Sequence, residues 1–186
     1  MHRPFAIRSA SITAAFAVAL ALSAAGCGAE EAGSEGAKSA ADGAHPLLGA
    51  KGPDFSQKAV GGEGTISLHS LAGKVAIVDF WATWCEPCKK SFPKLEELNV
   101  KYKDNGLEIV GISEDDDKSG IPSFASGLGA QFPLIWDENK SIASKWQPKS
   151  MPTTFIVDRK GTVRFVHLGY HDGEEAEIDR EVKSLL

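Results

Sequence analysis

The sequence predicts an α/β fold in which helices flank a central mixed β-sheet. From Asp54 to the C terminus, strand and helix patterns alternate, as they do when helices pack on a sheet. Two strand-like runs, 74–81 and 107–112, are almost continuously apolar, which is typical of central strands covered on both faces. The chain has 186 residues, 42% hydrophobic and 24% charged, so it is long enough for one such domain.

The first half of this region predicts an N-terminal β-hairpin, a central strand and a long helix. A short strand over 65–68 follows the Gly-rich turn 61–64. The central strand 74–81 leads into a helix over about 86–104, where Pro93 should cause a kink. Spacings of three and four residues define the apolar face of this helix, at Phe92, Leu95, Leu98 and Tyr102.

The second half predicts further strands and helices around the same sheet. An acidic run over 114–117 follows the second central strand, and we interpret it as a solvated loop. The remaining predicted elements are a helix over 122–128, a strand over 132–136, a helix over 139–146, a hairpin of strands 153–158 and 163–168, and a closing helix over 174–186.

The N-terminal segment predicts export. Residues 1–26 contain Arg3 and Arg8, no acidic residue, and an uncharged Ala-rich run too short for a stable membrane span. Residues 22–27 (Leu-Ser-Ala-Ala-Gly-Cys) resemble a bacterial lipobox, which implies that Cys27 is the first mature residue and carries a lipid anchor. The alternative is an ordinary signal peptide with cleavage nearby, which would leave Cys27 as a free thiol.

These features divide the chain into a lipoprotein signal peptide (1–26), a flexible tether (27–49) and a folded domain (50–186). The tether is rich in Ala, Gly, Ser and Glu and cannot bury enough apolar surface to fold. The net charge is −5, and loss of the signal would make it −7, which argues against nucleic acid as a partner. We expect a membrane-anchored monomer on the periplasmic side, where disulfides persist.

Two cysteines in the segment Trp84-Cys85-Glu86-Pro87-Cys88 predict disulfide exchange. Cys85 lies where a buried strand gives way to a helix, and the free N–H groups of a helix start favour its thiolate. Cys88 lies one helical turn on and can close a small ring with Cys85. Cys85 would therefore attack a target disulfide, and Cys88 would resolve the mixed disulfide.

Asp79 is the candidate proton acceptor for Cys88. It is a carboxylate inside an apolar strand, where burial should raise its pKa towards neutrality. The alternative is a structural aspartate held by backbone donors. A zinc site would need two further ligands, and His167 and His171 lie far along the chain; with His69, we expect them to be structural or exposed.

The segment 78–89, which contains these residues, resembles a thioredoxin-fold active site. The resemblance implies a buried aspartate at Asp79 and a cis-proline segment at Met151-Pro152 that faces the cysteines. Met151, Pro152, Trp84, Glu86 and Pro87 would contact the substrate. The segment between strand 107–112 and helix 139–146 resembles the insert of TlpA, ResA and AhpC proteins. Unlike ResA proteins, this chain has Lys90-Ser91 after the second cysteine, and unlike thioredoxins it has no lysine facing Asp79.

The resemblance to the TlpA and ResA group implies an exported thiol-disulfide oxidoreductase without a cofactor or metal. We expect it to reduce disulfides of exported proteins, apocytochrome c among the candidates, because Glu86 beside Cys85 disfavours the thiolate and makes the dithiol a better reductant. Its electrons would come from an inner-membrane thiol transporter of the DsbD or CcdA type.

Two other functions remain open from the sequence. A copper-binding assembly factor of the SCO type has two cysteines separated by three residues and a downstream histidine, whereas only two residues separate Cys85 from Cys88. A thiol peroxidase places its cysteine after a Pro-x-x-x-Thr-x-x pattern, which Thr83 does not complete. Stoichiometric Cu(I) retention would favour the first function, and rapid peroxide consumption dependent on Cys85 would favour the second.

Overall fold

The computed structural model describes residues 44–186, which form a mixed five-stranded sheet with helices on its faces. The strands, in chain order, are β1 Ser56–Lys58, β2 Thr65–Ser67, β3 Val75–Trp81, β4 Leu107–Ser113, β5 Leu134–Trp136, β6 Thr153–Val157 and β7 Val163–Leu168. The helices are α1 Glu86–Tyr102, α2 Ile121–Gly127, α3 Ala143–Trp146 and α4 Glu174–Leu185. The predicted thioredoxin-like α/β fold is confirmed.

The central sheet has the strand order β5-β4-β3-β6-β7. Strand β3 is parallel to β4 and antiparallel to β6, and all seven of its residues are buried. This burial on both faces explains why β3 reads as a continuous apolar run that contains one carboxylate. The predicted N-terminal hairpin forms the separate pair β1-β2, which a bridge between Ala59 and Ile135 attaches to β5.

The insert between β4 and α3 supplies α2 and the edge strand β5. Helix α3 is shorter than predicted, because Asp137 accepts hydrogen bonds of 2.8 Å from the backbone N–H groups of Ile142 and Ala143 and thereby delays the helix start. Helix α1 is a single element that continues through Pro93.

The two faces of the sheet carry two apolar cores. One core joins Ile77 and Trp81 of β3 to Cys88 and Phe92 of α1 and also receives Val182 of α4. The other core contains Val78, Phe80, Phe155 and Trp146. Side chains alternate along a strand, so Asp79 lies on the first face, beneath α1.

The start of the described region differs from the predicted tether boundary. His45 is buried, its ring lies 5.0 Å from that of Phe155, and its Nε2 lies 3.0 Å from the carbonyl oxygen of Gln147. Residues 44–49 therefore pack on the domain. The predicted signal peptide, Cys27 and the rest of the tether lie outside the described residues. Within 44–186, no helix is both long and apolar enough to cross a bilayer.

Candidate active site

Cys85 and Cys88 form a disulfide at the start of α1. Cys85 is the N-cap of the helix, and its Sγ accepts a hydrogen bond of 3.2 Å from the backbone N–H of Cys88. Pro87 occupies the first turn, where a residue without an N–H group leaves no bond unmade. When the disulfide is open, this N–H and the helix dipole would stabilise a thiolate on Cys85.

The surroundings of the two sulfurs are unequal. Cys85 is 3% exposed and Cys88 is fully buried, so a target can approach only Cys85. Trp84, the residue before Cys85, is 66% exposed and is the most exposed large hydrophobic residue within 44–186. Glu86 is exposed, and its carboxylate lies 2.7 Å from Nζ of Lys89, so a neighbouring cation partly compensates the charge that the sequence places beside Cys85.

A buried carboxylate holds the loop that precedes Cys85. Asp115 accepts hydrogen bonds from the backbone N–H of Thr83 at 3.1 Å, from the Thr83 hydroxyl at 2.6 Å and from the Ser113 hydroxyl at 2.8 Å. The interpretation of 114–117 as a solvated loop is therefore wrong for its first half: Glu114 and Asp115 are buried, and only the last two aspartates are exposed.

The segment Met151-Pro152 lies at the same end of the sheet as the cysteines. The peptide bond between these residues is cis. Thr153, the first residue of β6, pairs with Phe80 near the end of β3, and the loop to Cys85 begins just after β3. Met151 is half-buried and packs against both apolar cores.

Asp79 is completely buried on the face of β3 that α1 covers. Its Oδ1 accepts a hydrogen bond of 2.6 Å from the Thr154 hydroxyl, and its Oδ2 has no partner among the described residues. Burial raises the pKa of Asp79 to about 7; the Thr154 hydrogen bond partly offsets this rise, and the charge of Glu174 adds to it. Asp79 can therefore bind and release a proton near neutral pH.

His167 has two partners that the sequence pattern did not reveal. It is buried on β7, with Nε2 2.7 Å from Oε2 of Glu181 and Nδ1 3.4 Å from Oε1 of Glu174. Burial alone would lower the pKa of His167, but the hydrogen bonds to the two glutamates outweigh burial and raise the pKa to about 9. The ring is therefore an imidazolium at neutral pH. His69 and His171 are exposed.

The fold thus brings seven of the predicted site residues to one end of the sheet: Trp84, Cys85, Glu86, Pro87, Cys88, Met151 and Pro152. Asp79 lies below them, in the face that contains Cys88. Sequence reasoning assigned no site role to four further residues of this region, Asp115, Thr154, His167 and Glu174. Only Thr154 had a visible signal, because it lies two residues after the proline that the resemblance implied to be cis.

Comparisons with known proteins agree with this geometry. Residues 48–166 match the AhpC/TSA family. The thioredoxin-like protein YneN of Bacillus subtilis is 36% identical over 132 residues, which cover 69% of this chain and 76% of YneN. The thiol-disulfide oxidoreductase ResA of Bacillus thuringiensis is 32% identical over 130 residues, 70% of this chain and 75% of ResA.

The solved structures show the same likeness. A crystal structure of a Chlorobium tepidum protein assigned as the thiol:disulfide interchange protein DsbE is 30% identical, with a TM-score of 0.70, and the match covers 74% of this chain and 96% of that one. The relatives and the Cys85–Cys88 pair at a helix start together define the chemistry. The chain belongs to the AhpC/TSA family and is a thioredoxin-fold thiol-disulfide oxidoreductase.

Proposed function

We propose that the protein reduces disulfides of exported proteins, with Cys85 as nucleophile, Cys88 as resolving thiol and Asp79 as proton acceptor. The observation that carries this proposal is the difference in exposure between the two cysteines. Cys85 caps α1 and is slightly exposed to solvent, whereas Cys88 is fully buried one turn into the helix. A target can therefore form a mixed disulfide only with Cys85, and Cys88 can only release it.

The exchange has two steps. The Cys85 thiolate attacks a target disulfide, forms a bond to one target sulfur and releases the other as a thiolate. Cys88 then loses its proton to the Asp79 carboxylate, attacks Cys85 and releases the second target sulfur. The target gains two electrons, and Cys85 and Cys88 lose them as their disulfide forms.

The exposed Trp84 with Glu86 and Pro87 on one side, and Met151 and Pro152 on the other, would bind the polypeptide around the target disulfide. We propose further that residues 1–26 are a lipoprotein signal peptide, that Cys27 carries the lipid, and that 27–43 tether the domain to the membrane. Electrons would be restored by a membrane thiol transporter of the DsbD or CcdA type, and apocytochrome c is a candidate substrate, as the family resemblance implies.

Trapping tests the proposed roles. In Cys88→Ser, mixed disulfides on Cys85 should persist and be recoverable from the exported proteome, and the double variant Cys85→Ser/Cys88→Ser is the matched control. Recovery of equal amounts from the control, or persistence of insulin-type disulfide reduction in Cys85→Ser, would contradict the proposal.

The direction of electron flow is tested by the equilibrium potential of the Cys85–Cys88 couple. We expect a reducing couple, and a potential as high as that of DsbA, about −120 mV, would contradict it. The anchor is tested by fractionation: Cys27→Ser should move the protein from the membrane to the soluble fraction, and an unchanged distribution would contradict lipidation.

A further inference from the structure

A row of polar side chains crosses the sheet behind the disulfide. Asp79 on β3 pairs with Thr154 on β6, and Thr154 pairs with His167 on β7. Directly paired residues of antiparallel strands project from the same face of a sheet. The three side chains therefore line the face that α1 and α4 cover, and the first two are joined by the 2.6 Å hydrogen bond.

Helix α4 adds two carboxylates to this row. Glu174 and Glu181 lie seven residues apart, two helical turns, so they face the same side of α4 and hold the two ring nitrogens of His167 between them. Glu174 is 5% exposed although it is the first residue of its helix, where an acidic side chain would ordinarily be solvated. Two carboxylates and one imidazolium give this group a net charge of −1.

We propose that Glu174, held by His167, is a positioning residue of the exchange site: its charge keeps a proton available on Asp79 for transfer to Cys88. This proposal rests on the proposed function. Strand β4 offers Asp79 no charged partner, because the residue that pairs with Asp79 there is Gly111.

Burial is the main reason that Asp79 resists ionisation, and the charge of Glu174 adds to its effect. Strand β4 contributes Gly111 and β6 contributes Thr154, neither of which titrates; α1 contributes Cys88, which is in the disulfide. From α4, the charge of Glu174 raises the pKa of Asp79. Two other charged groups of this face are not among those that shift it: the imidazolium of His167 on β7, and Glu181, which lies on the far side of His167 from Glu174.

The proton matters in the half-reaction that restores the dithiol. When a donor dithiol attacks Cys85 of the disulfide, the bond between the two sulfurs breaks and the electron pair leaves on Cys88. The protonated Asp79 gives its proton to this thiolate and becomes a carboxylate. The donor's second thiol then loses its proton to solvent and attacks the donor sulfur that is bonded to Cys85. This forms the donor's disulfide and releases Cys85 as a thiolate, so that two electrons have passed to the pair. In the reducing direction, the carboxylate takes the same proton back.

The titration of Asp79 in the full-length disulfide form tests this role directly. The infrared C=O band of the protonated carboxyl group, assigned by its loss in Asp79→Asn, reports the titration without any turnover. Glu174→Gln should move the midpoint to lower pH, since a like charge has been removed. Glu174→Asp keeps the charge, so its Asp79 midpoint should lie close to that of the wild type.

Two other glutamate-to-glutamine variants of α4 provide the controls. Glu181→Gln removes the other hydrogen-bonded partner of His167, and Glu177→Gln removes a half-buried carboxylate elsewhere on α4. Both should leave the Asp79 midpoint near its wild-type position. An unmoved midpoint in Glu174→Gln, or an equal shift in Glu181→Gln, would overturn the inference. If the variants show the expected shifts of the Asp79 midpoint but the wild-type protein has no disulfide-exchange activity, the proposed function is contradicted and the inference about Glu174 is not.

Discussion

The hydroxyl of Thr154 on β6 donates a 2.6 Å hydrogen bond to one carboxyl oxygen of Asp79 on β3, and the other oxygen has no partner among the described residues. A buried carboxyl group is costly to ionise when only one of its two oxygens accepts a hydrogen bond. The charge state of this group therefore depends on few neighbours, and each of them can be changed singly.

Thr154→Val should raise the pKa of Asp79, because the hydroxyl stabilises the carboxylate. We expect the pH at which disulfide exchange is half-maximal to move upwards by roughly half a unit to one unit. Thr154→Ser keeps the hydroxyl and should behave as wild type. The pH–rate profile checks this prediction, and a downward shift in Thr154→Val contradicts it.

Asp79→Asn should stabilise the fold at neutral pH while it slows exchange. The folded pKa of Asp79, about 7, exceeds the ordinary value of 3.8, so the folded state keeps a proton that the unfolded state releases, and stability falls as pH rises from about 4 to 7. Removal of this cost should add about 4 kcal/mol to the free energy of unfolding at pH 8, and little below pH 4.

Urea unfolding at the two pH values checks the Asp79→Asn prediction. Asp116→Asn, at an exposed aspartate, is the control and should show no such gain. Equal stability of Asp79→Asn and wild type at pH 8 would show that Asp79 carries no burial cost.

His167→Gln should remove a pH-dependent part of the stability. The folded pKa of about 9 exceeds the ordinary 6.5, so the stabilisation is fully present below pH 6.5 and is lost as pH rises through 9. At pH 6 the free energy of unfolding of the variant should be about 3 kcal/mol lower than that of the wild type, and the difference should be smaller at pH 9.5. Unfolding measured across this range, with exposed His171→Gln as control, checks it; a deficit that does not vary with pH contradicts it.

Asp115→Ala should loosen the loop that carries Trp84 and Cys85. Three donors on Thr83 and Ser113 lose their acceptor, which should cost about 2–4 kcal/mol of stability. Exchange should slow in assays of the folded variant, because the loop no longer holds Cys85 in place. Asp116→Ala is the matched control one residue away, and an equal loss of activity in both variants would refute a specific role for Asp115.

The local pattern was sufficient for the elements with strong periodicity. Strands β3 and β4 and helix α1 were predicted almost to the residue, because burial on both faces and a 3.6-residue repeat leave clear signals. The pattern was weaker at α3, where the side chain of Asp137 rather than an apolar repeat determines the first helical residue.

The sequence by itself determined the disulfide chemistry, because Cys85 and Cys88 are neighbours on one helix turn and their relation is local. Only the tertiary structure decided which groups share a face of the sheet with Asp79. Thr154, His167 and Glu174 come from β6, β7 and α4, and strand pairing and helix packing bring them to the β3 carboxylate across 75 to 95 positions of chain. Contacts between residues so far apart in the chain do not appear in the hydrophobic periodicity, which reflects only the local helix or strand that contains each residue.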